Sequence, residues 1–254
     1  MLKLFSLALT LALNMCAPAF ADMTREELVN VNTYIDQTNF QIENHCSATL
    51  VSKDYQLLLT NYHCIAKYVT FPITIETLPN GEERSVTNET WRGFRVHQFY
   101  KDAEFSYDTQ IVAYDKSNDL AVLQLNAGRH WINSLIPLEA HVLDSTEQLL
   151  RGETVYAVGN PNMQFATLHK GLLSYVNRIL ETPAGSQRLL QVDVGISPGS
   201  SGGALYNEDW QLIGVTSGGF PMTAIGFAVP YDIINNLFDV VCDMNHYEEW
   251  YACQ

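Results

Sequence analysis

From about residue 46 onward the chain is a succession of short runs rich in β-branched and aromatic residues, punctuated by turn signals. Strands are predicted at 47–52, 56–61, 68–77, 91–100, 108–114 and 120–125, with Asn80-Gly81 marking a turn between two of them. A second group is predicted at 153–159, 166–176, 188–194, 203–207, 211–217 and 225–229. The stretch 126–150 between the groups alternates weakly and reads as a crossing from one domain half to the other. Helical spacing occurs only at the two ends. Thr24-Arg25-Glu26-Glu27 fits a capping box, and Leu28, Val31 and Ile35 then recur at helical intervals, predicting a short helix over 25–37. After Pro230, Ile233, Ile234, Leu237, Val240 and Val241 share one helical face. The expected fold is therefore all-β: two six-stranded antiparallel β-barrels with a short N-terminal and a C-terminal helix.

The first 21 residues carry a different pattern. Lys3 precedes an apolar run from Leu4 to Met15, followed by Ala17-Pro18-Ala19-Phe20-Ala21. That is the order of a secretory signal peptide, cleaved after Ala21. The run is shorter than the ~20 apolar residues a spanning helix needs. The expected organisation is a leader at 1–21 and a folded region at 22–254, with its first barrel in 22–135 and its second barrel in 136–254. Secretion or a periplasmic location follows, with no membrane span once the leader is gone.

Charge and cysteine content change the picture in two ways. The 254 residues hold 14 basic and 28 acidic side chains, so nucleic acid is excluded as an expected partner. The acidity itself reads as a solubility feature. Cleavage after Ala21 would remove Cys16 and leave Cys46, Cys64, Cys242 and Cys253. An even number in an oxidising compartment favours disulfides, and the positions suggest Cys46–Cys64 and Cys242–Cys253. Eleven residues of unbroken helix would hold the second pair ~16 Å apart, so that bridge requires the chain to turn back. A metal site is the competing reading, since His45-Cys46 and His63-Cys64 repeat a dipeptide. No pair has zinc-module spacing, and the expectation is no metal.

Three segments carry candidate chemistry. Pro198-Gly199-Ser200-Ser201-Gly202-Gly203-Ala204-Leu205 sets a serine among glycines just before a strand. Such a loop turns tightly and lets a substrate carbonyl approach the backbone. Leu58-Leu59-Thr60-Asn61-Tyr62-His63 ends an apolar strand in an imidazole, the base a serine hydroxyl needs to become a nucleophile. Ser117-Asn118-Asp119-Leu120 places a carboxylate at the mouth of another strand, where it can orient that imidazole. Asp115 is a rival for the acid role, though a turn role suits its position better. His97, His130, His141, His169 and His246 are scattered and read as structural or surface residues, and Asn88-Glu89-Thr90 matches a glycosylation acceptor.

These segments, with Gly159-Asn160-Pro161, Gly171-Leu172-Leu173-Ser174, Ile213-Gly214-Val215 and Gly226-Phe227-Ala228-Val229-Pro230, run in one order over roughly residues 46–235. As a set they resemble the chymotrypsin-like serine proteases, most of all the DegP/HtrA-type branch. The resemblance implies a serine endopeptidase acting on proteins or peptides through an acyl-enzyme, with no cofactor. It implies His63 as general base, Asp119 as its orienter and Ser201 as nucleophile. Gly199 and Ser201 would donate the oxyanion-hole hydrogen bonds.

The departures from that family matter as much. No Ile-Val-Gly-Gly segment follows a basic residue, and Ser200 stands where digestive relatives hold an Asp for a newly cut N-terminus. Activation by removing a peptide is therefore not expected. The branch usually continues into PDZ domains, whereas 24 residues follow Pro230 here, so none is expected; the resemblance leaves the oligomeric state open. Gly195 lies where trypsin-type enzymes carry the acid that selects Lys or Arg. With Ser217, Gly218, Gly219 and Gly226 as the pocket wall, an uncharged P1 residue is expected; Asp193 reads as a strand-end group. Two alternatives remain: a catalytically silent binding protein on the same fold, and an esterase. The second lacks its Gly-x-Ser-x-Gly elbow and strand–helix alternation.

Overall fold

The structure, a computed structural model, describes residues 24–43, 45–77, 83–128, 138–144, 146–182, 185–245 and 250–253. The expected leader and the expected boundary at 135–136 lie outside the described residues, as does the Asn80-Gly81 turn. The N-terminal helix, Arg25–Thr38, ends one residue beyond the sequence expectation. It opens with a reciprocal cap: the Thr24 amide donates to Glu27 Oε2 (2.6 Å) and the Glu27 amide to Thr24 Oγ1 (3.2 Å).

In chain order the strands are β1 (Asn39–Ile42), β2 (Cys46–Ser52), β3 (Leu57–Thr60), β4 (Val69–Thr70), β5 (Ile73–Thr77), β6 (Glu83–Thr87), β7 (Thr90–Trp91), β8 (Phe94–Tyr100), β9 (Ala103–Asp115) and β10 (Leu120–Asn126). The second group is β11 (Thr154–Gly159), β12 (Thr167–Thr182), β13 (Gly185–Val192), β14 (Ala204–Tyr206), β15 (Leu212–Gly219) and β16 (Gly226–Pro230). One closed barrel runs β1-β2-β3-β10-β9-β8 and the other β11-β12-β13-β16-β15-β14. Every pairing within them is antiparallel. This is the expected fold class.

Each barrel closes on its own apolar interior. Phe40, Ile42, Leu50, Leu58, Val96 and Leu123 fill the first, and Val155, Leu173, Leu190, Val192, Leu205 and Ile213 the second. Strand β8 alternates as a half-exposed strand should, with Phe94 and Val96 buried around an exposed Arg95. In β1, β2 and β3 every residue is buried. The polar side chains of β1 and β2 make the buried contacts with the second barrel described below.

Four sequence expectations are corrected. The predicted strand 68–77 is broken at Phe71-Pro72, because proline has no amide for a ladder; its parts form β4 and β5, outside the barrel. The sixth barrel strand is instead β1, which follows the N-terminal helix directly and carries no alternation to betray it. Strand β12 runs to Thr182 and pairs with β13 as a long hairpin, beyond the predicted end at 176. In the C-terminal helix, Tyr231–Asn245, the buried face is Ile234, Leu237, Phe238 and Val241, while Val240 is exposed.

Both expected disulfides are present, with Cα–Cα separations of 5.9 Å for Cys46–Cys64 and 5.5 Å for Cys242–Cys253. For the second, a single 3-10 turn, Tyr251–Cys253, sets Cys253 beside the helix in the return that the bridge requires. Trp250 Nε1 donates to the Val51 carbonyl (3.1 Å), tying that return to β2. Among the described residues no helix is long and apolar enough to cross a membrane.

Candidate active site

Antiparallel pairing of β3 with β10 sets Thr60 opposite Ala121. Three residues after β3 comes His63, on the short helix Tyr62–Ile65, and Asp119 stands just before β10. The two therefore meet at one barrel end. The Asp119 carboxylate takes the His63 amide on Oδ1 (2.9 Å) and His63 Nδ1 on Oδ2 (2.8 Å). Because a carboxylate only accepts, Nδ1 carries a hydrogen, so the tautomer with its lone pair on Nε2 is the one this contact selects in a neutral imidazole. Asn61 Nδ2 donates to the Asp119 carbonyl (2.9 Å), fixing the backbone as well. Asp119 sits at φ +58, a left-handed conformation that Asp tolerates better than most residues. The preceding turn is held by Asp115, whose carboxylate accepts the Ser117 and Asn118 amides (2.9 and 3.1 Å) and Asn118 Nδ2 (2.6 Å). Asp115 is thus engaged in its own turn, not with His63.

Ser201 lies in the loop before β14. Gly199 and Gly202 adopt φ +99 and +85, and a Cβ on Gly202 would overlap the Ser47 carbonyl and Thr60 Oγ1. Only glycine fits there. Ser201 Oγ donates to the Ser217 carbonyl (2.9 Å), and Ser217 Oγ donates to Asp119 Oδ2 (2.9 Å). Ser217, expected as a pocket wall, therefore links Ser201 to Asp119. The Pro198 carbonyl accepts the Asn162 amide (2.7 Å). A trans peptide is planar, so the Gly199 N–H points the opposite way. Neither the Gly199 nor the Ser201 amide donates to any described residue, which leaves two backbone donors free on one loop.

The trypsin-like peptidase domain family matches residues 46–215. The chain belongs to that family. It is 33% identical over 140 residues to the serine endoprotease DegS of Escherichia coli, covering 52% of this chain and 38% of DegS. It is 29% identical over 207 residues to the chloroplastic Protease Do-like 5 of Arabidopsis thaliana, covering 78% of this chain and 57% of that protein. The crystal structure of Deg5 superposes with a TM-score of 0.57 at 28% identity, covering 84% of this chain and 94% of that one. The MamO protease domain of Magnetospirillum magneticum, at 19% identity and a TM-score of 0.59 over 80% and 96% of the two chains, shares the fold.

Within this trypsin-like domain, a cavity of about 500 Å³ opens beside His63 and Asp119. Ser217, Gly218 and Gly219 form one wall, and Leu180, Leu189, Phe220 and Phe227 make it apolar. None of those four was assigned to the pocket from the sequence. Gly218 has nothing within 4 Å of its Cβ position and borders open space. Gly226 and Gly219 instead flank Ile196: a Cβ on Gly226 would lie 2.5 Å from Ile196 Cγ1, and one on Gly219 would lie 3.4 Å from Ile196 Cβ. Gly195 is exposed, with its Cβ position 3.8 Å from the Thr223 carbonyl. Asp193 accepts the Leu172 amide at the end of β13. Cys46, His63 and Cys64 bring ligand-type atoms within 4.8 Å of one another, but the two sulfurs are bonded to each other and are not thiolates.

Proposed function

We propose that this chain is an exported serine endopeptidase acting on proteins or peptides, with His63, Asp119 and Ser201 as its triad. The observation that carries the reading is the Asp119–His63 pair at 2.8 Å, set beside a serine loop with two undonated amides. His63 Nε2 takes the Ser201 proton as Oγ attacks the scissile carbonyl. The carbonyl oxygen becomes negative between the Gly199 and Ser201 amides, where fixed donors stabilise it most. His63 then returns the proton to the leaving amine, an acyl-enzyme forms on Ser201, and water releases it by the reverse steps. Asp119 stays ionised and holds the imidazole in the required tautomer.

The first test is covalent labelling by a fluorophosphonate probe, with Ser201→Ala and His63→Ala as controls. Labelling of the wild type that both variants lose is the expected result. Absence of labelling in folded, oxidised wild-type protein would sink the reading. One observation favours the silent alternative: Ser201 Oγ donates to the Ser217 carbonyl, so the hydroxyl must turn to Nε2 before it reacts.

An uncharged P1 preference is supported by the apolar Ile196 side chain, which approaches both Gly219 and Gly226. In a panel of peptides varied only at P1, aliphatic residues should be cleaved faster than Lys or Arg; the reverse order would refute it. Export rests on the pattern of residues 1–21 and on the two disulfides. A mature protein beginning at Asp22 by mass measurement is the expected outcome.

A further inference from the structure

Every carbonyl from Pro198 to Ser201 is held. Asn162 N–H takes that of Pro198 (2.7 Å), and Thr216 Oγ1 and the Gly203 amide take that of Ser200 (2.6 and 2.9 Å). The other two are taken by one residue of the opposite barrel. The Ser47 amide donates to the Ser201 carbonyl (2.7 Å), and Ser47 Oγ donates to the Gly199 carbonyl (2.7 Å). Ser47 is the second residue of β2, fully buried, next to the disulfide cysteine Cys46.

A serine hydroxyl has one hydrogen to give and two lone pairs to fill. Both lone pairs of Ser47 Oγ are occupied, by the Asn160 amide (2.8 Å) and by Asn160 Nδ2 (3.1 Å). The hydrogen is left facing the Gly199 carbonyl. Asn160 is itself fixed, with Oδ1 accepting Asn39 Nδ2 (2.8 Å) and the Ala166 amide (2.9 Å) and Nδ2 also reaching the Phe40 carbonyl (2.8 Å). The Ser47 carbonyl accepts Thr60 Oγ1 (2.7 Å).

We propose that Ser47 is a positioning residue for the oxyanion hole: from the first barrel, its hydroxyl and amide lock the Gly199–Ser200 and Ser201–Gly202 peptide planes, which adjoin the planes carrying the Gly199 and Ser201 amides of the second. The inference rests on the endopeptidase reading above. Ser47 touches neither substrate nor the reacting atoms. It acts by holding the Gly199–Ser200 plane, which lies between the two free donors, and the Ser201–Gly202 plane, which follows the second, so its loss tilts donors that matter only when the carbonyl oxygen becomes charged. The effect therefore belongs to the transition state and not to substrate binding.

The test compares Ser47→Ala and Ser47→Thr with wild type. The readouts are steady-state cleavage of one peptide, the rate of fluorophosphonate labelling, and affinity for a peptide aldehyde whose adduct carries the oxyanion. Removing one oxyanion donor outright costs about 10²–10³-fold in kcat, and misaiming donors should cost less. Ser47→Ala is expected to lower kcat, the labelling rate and aldehyde affinity by about tenfold or more, with KM within about twofold. Ser47→Thr keeps the hydroxyl and should recover most of the loss. Should Ser47→Ala not fold, Ser47→Gly removes the same hydroxyl and retains the amide bond to Ser201. A folded hydroxyl-less variant with wild-type kcat and aldehyde affinity would overturn the inference, and so would a loss confined to KM or a Thr variant as impaired as Ala. Failure of the wild type to label at all would overturn the endopeptidase reading and this inference with it.

Discussion

The two barrels bring the groups of the proposed triad to the cleft by different means. In the first, His63 and Asp119 stand at the ends of paired strands, and the contacts that fix them are made among neighbours: Asp119 to the His63 backbone and ring, Asn61 to the Asp119 carbonyl. In the second, Ser201 rides a glycine-rich loop with little side-chain packing of its own. Its carbonyls are held by Asn162, Thr216, Gly203 and, across the barrel seam, by Ser47. The dependence also runs the other way, since Gln187 Nε2 of β13 donates to the Ser117 carbonyl in the turn before Asp119 (2.9 Å). Strand ends can place a base and an acid locally. A loop that must expose two unpaired amides makes fewer internal hydrogen bonds and takes part of its rigidity from outside.

The strongest way to break this comparison is at the first barrel's acid. Asp119→Asn keeps shape and size but replaces an acceptor that faces Nδ1–H with an amide able to impose the wrong tautomer. The expected loss is on the order of 10⁴-fold in kcat, the cost of the equivalent Asp→Asn change in the prototype of the serine-protease triad. Far-UV circular dichroism and melting should stay near wild type. A variant that keeps more than about a tenth of wild-type kcat would show that the first barrel does not supply the acid.

How much of this was legible in the sequence follows the same division. The segments ending in His63 and beginning at Asp119 are strand termini, so the change from apolar run to polar residue announced them. The loop around Ser201 was announced by its glycines. Both disulfides and both barrels were legible for the same local reasons. What stayed hidden depends on contacts between residues far apart in the chain. Ser47 reads as an ordinary strand residue until Gly199 is placed 152 positions later against its hydroxyl. Ile196 could be found only once Gly219 and Gly226 were seen to flank it. Strand β1 was missed because all four of its residues are buried, so the period of two that marks a half-exposed strand is absent. Ser217 lines the cavity as its place in the sequence suggested, but the bond of its hydroxyl to Asp119 could not be read from the sequence.

The disulfides offer a sharper comparison with a smaller effect. They close loops of similar length, 18 and 11 residues apart, so chain entropy assigns each about 3 kcal/mol. Their surroundings differ. Cys46–Cys64 joins the residue before Ser47 to the residue after His63, whereas Cys242–Cys253 ties the C-terminal helix to the returning tail. Paired Cys→Ala replacements should therefore lower stability to denaturant by comparable amounts. Only the Cys46/Cys64 pair should also lower kcat at a temperature where both variants are folded. Equal activity in the two variants would argue that the seam holds the site without its covalent neighbour.

The smallest expected effect tests whether the first barrel's acid was correctly chosen. Asp115 and Asp119 share one turn, four positions apart, and a sequence reader weighs both. Their carboxylates face different partners: Asp119 accepts from His63 and Ser217, and Asp115 from Ser117 and Asn118. Asp115→Asn keeps one carbonyl oxygen for those amides and removes a charge the imidazole does not contact. It loosens the turn without changing the tautomer of His63, and Asn61 and Gln187 still hold the neighbouring carbonyls of Asp119 and Ser117. The expected cost is about twofold in kcat and within about 1 kcal/mol of stability, as for other partly exposed turn substitutions. A loss for Asp115→Asn approaching that of Asp119→Asn would mean that the turn's geometry, and not the Asp119–His63 pair alone, sets the base.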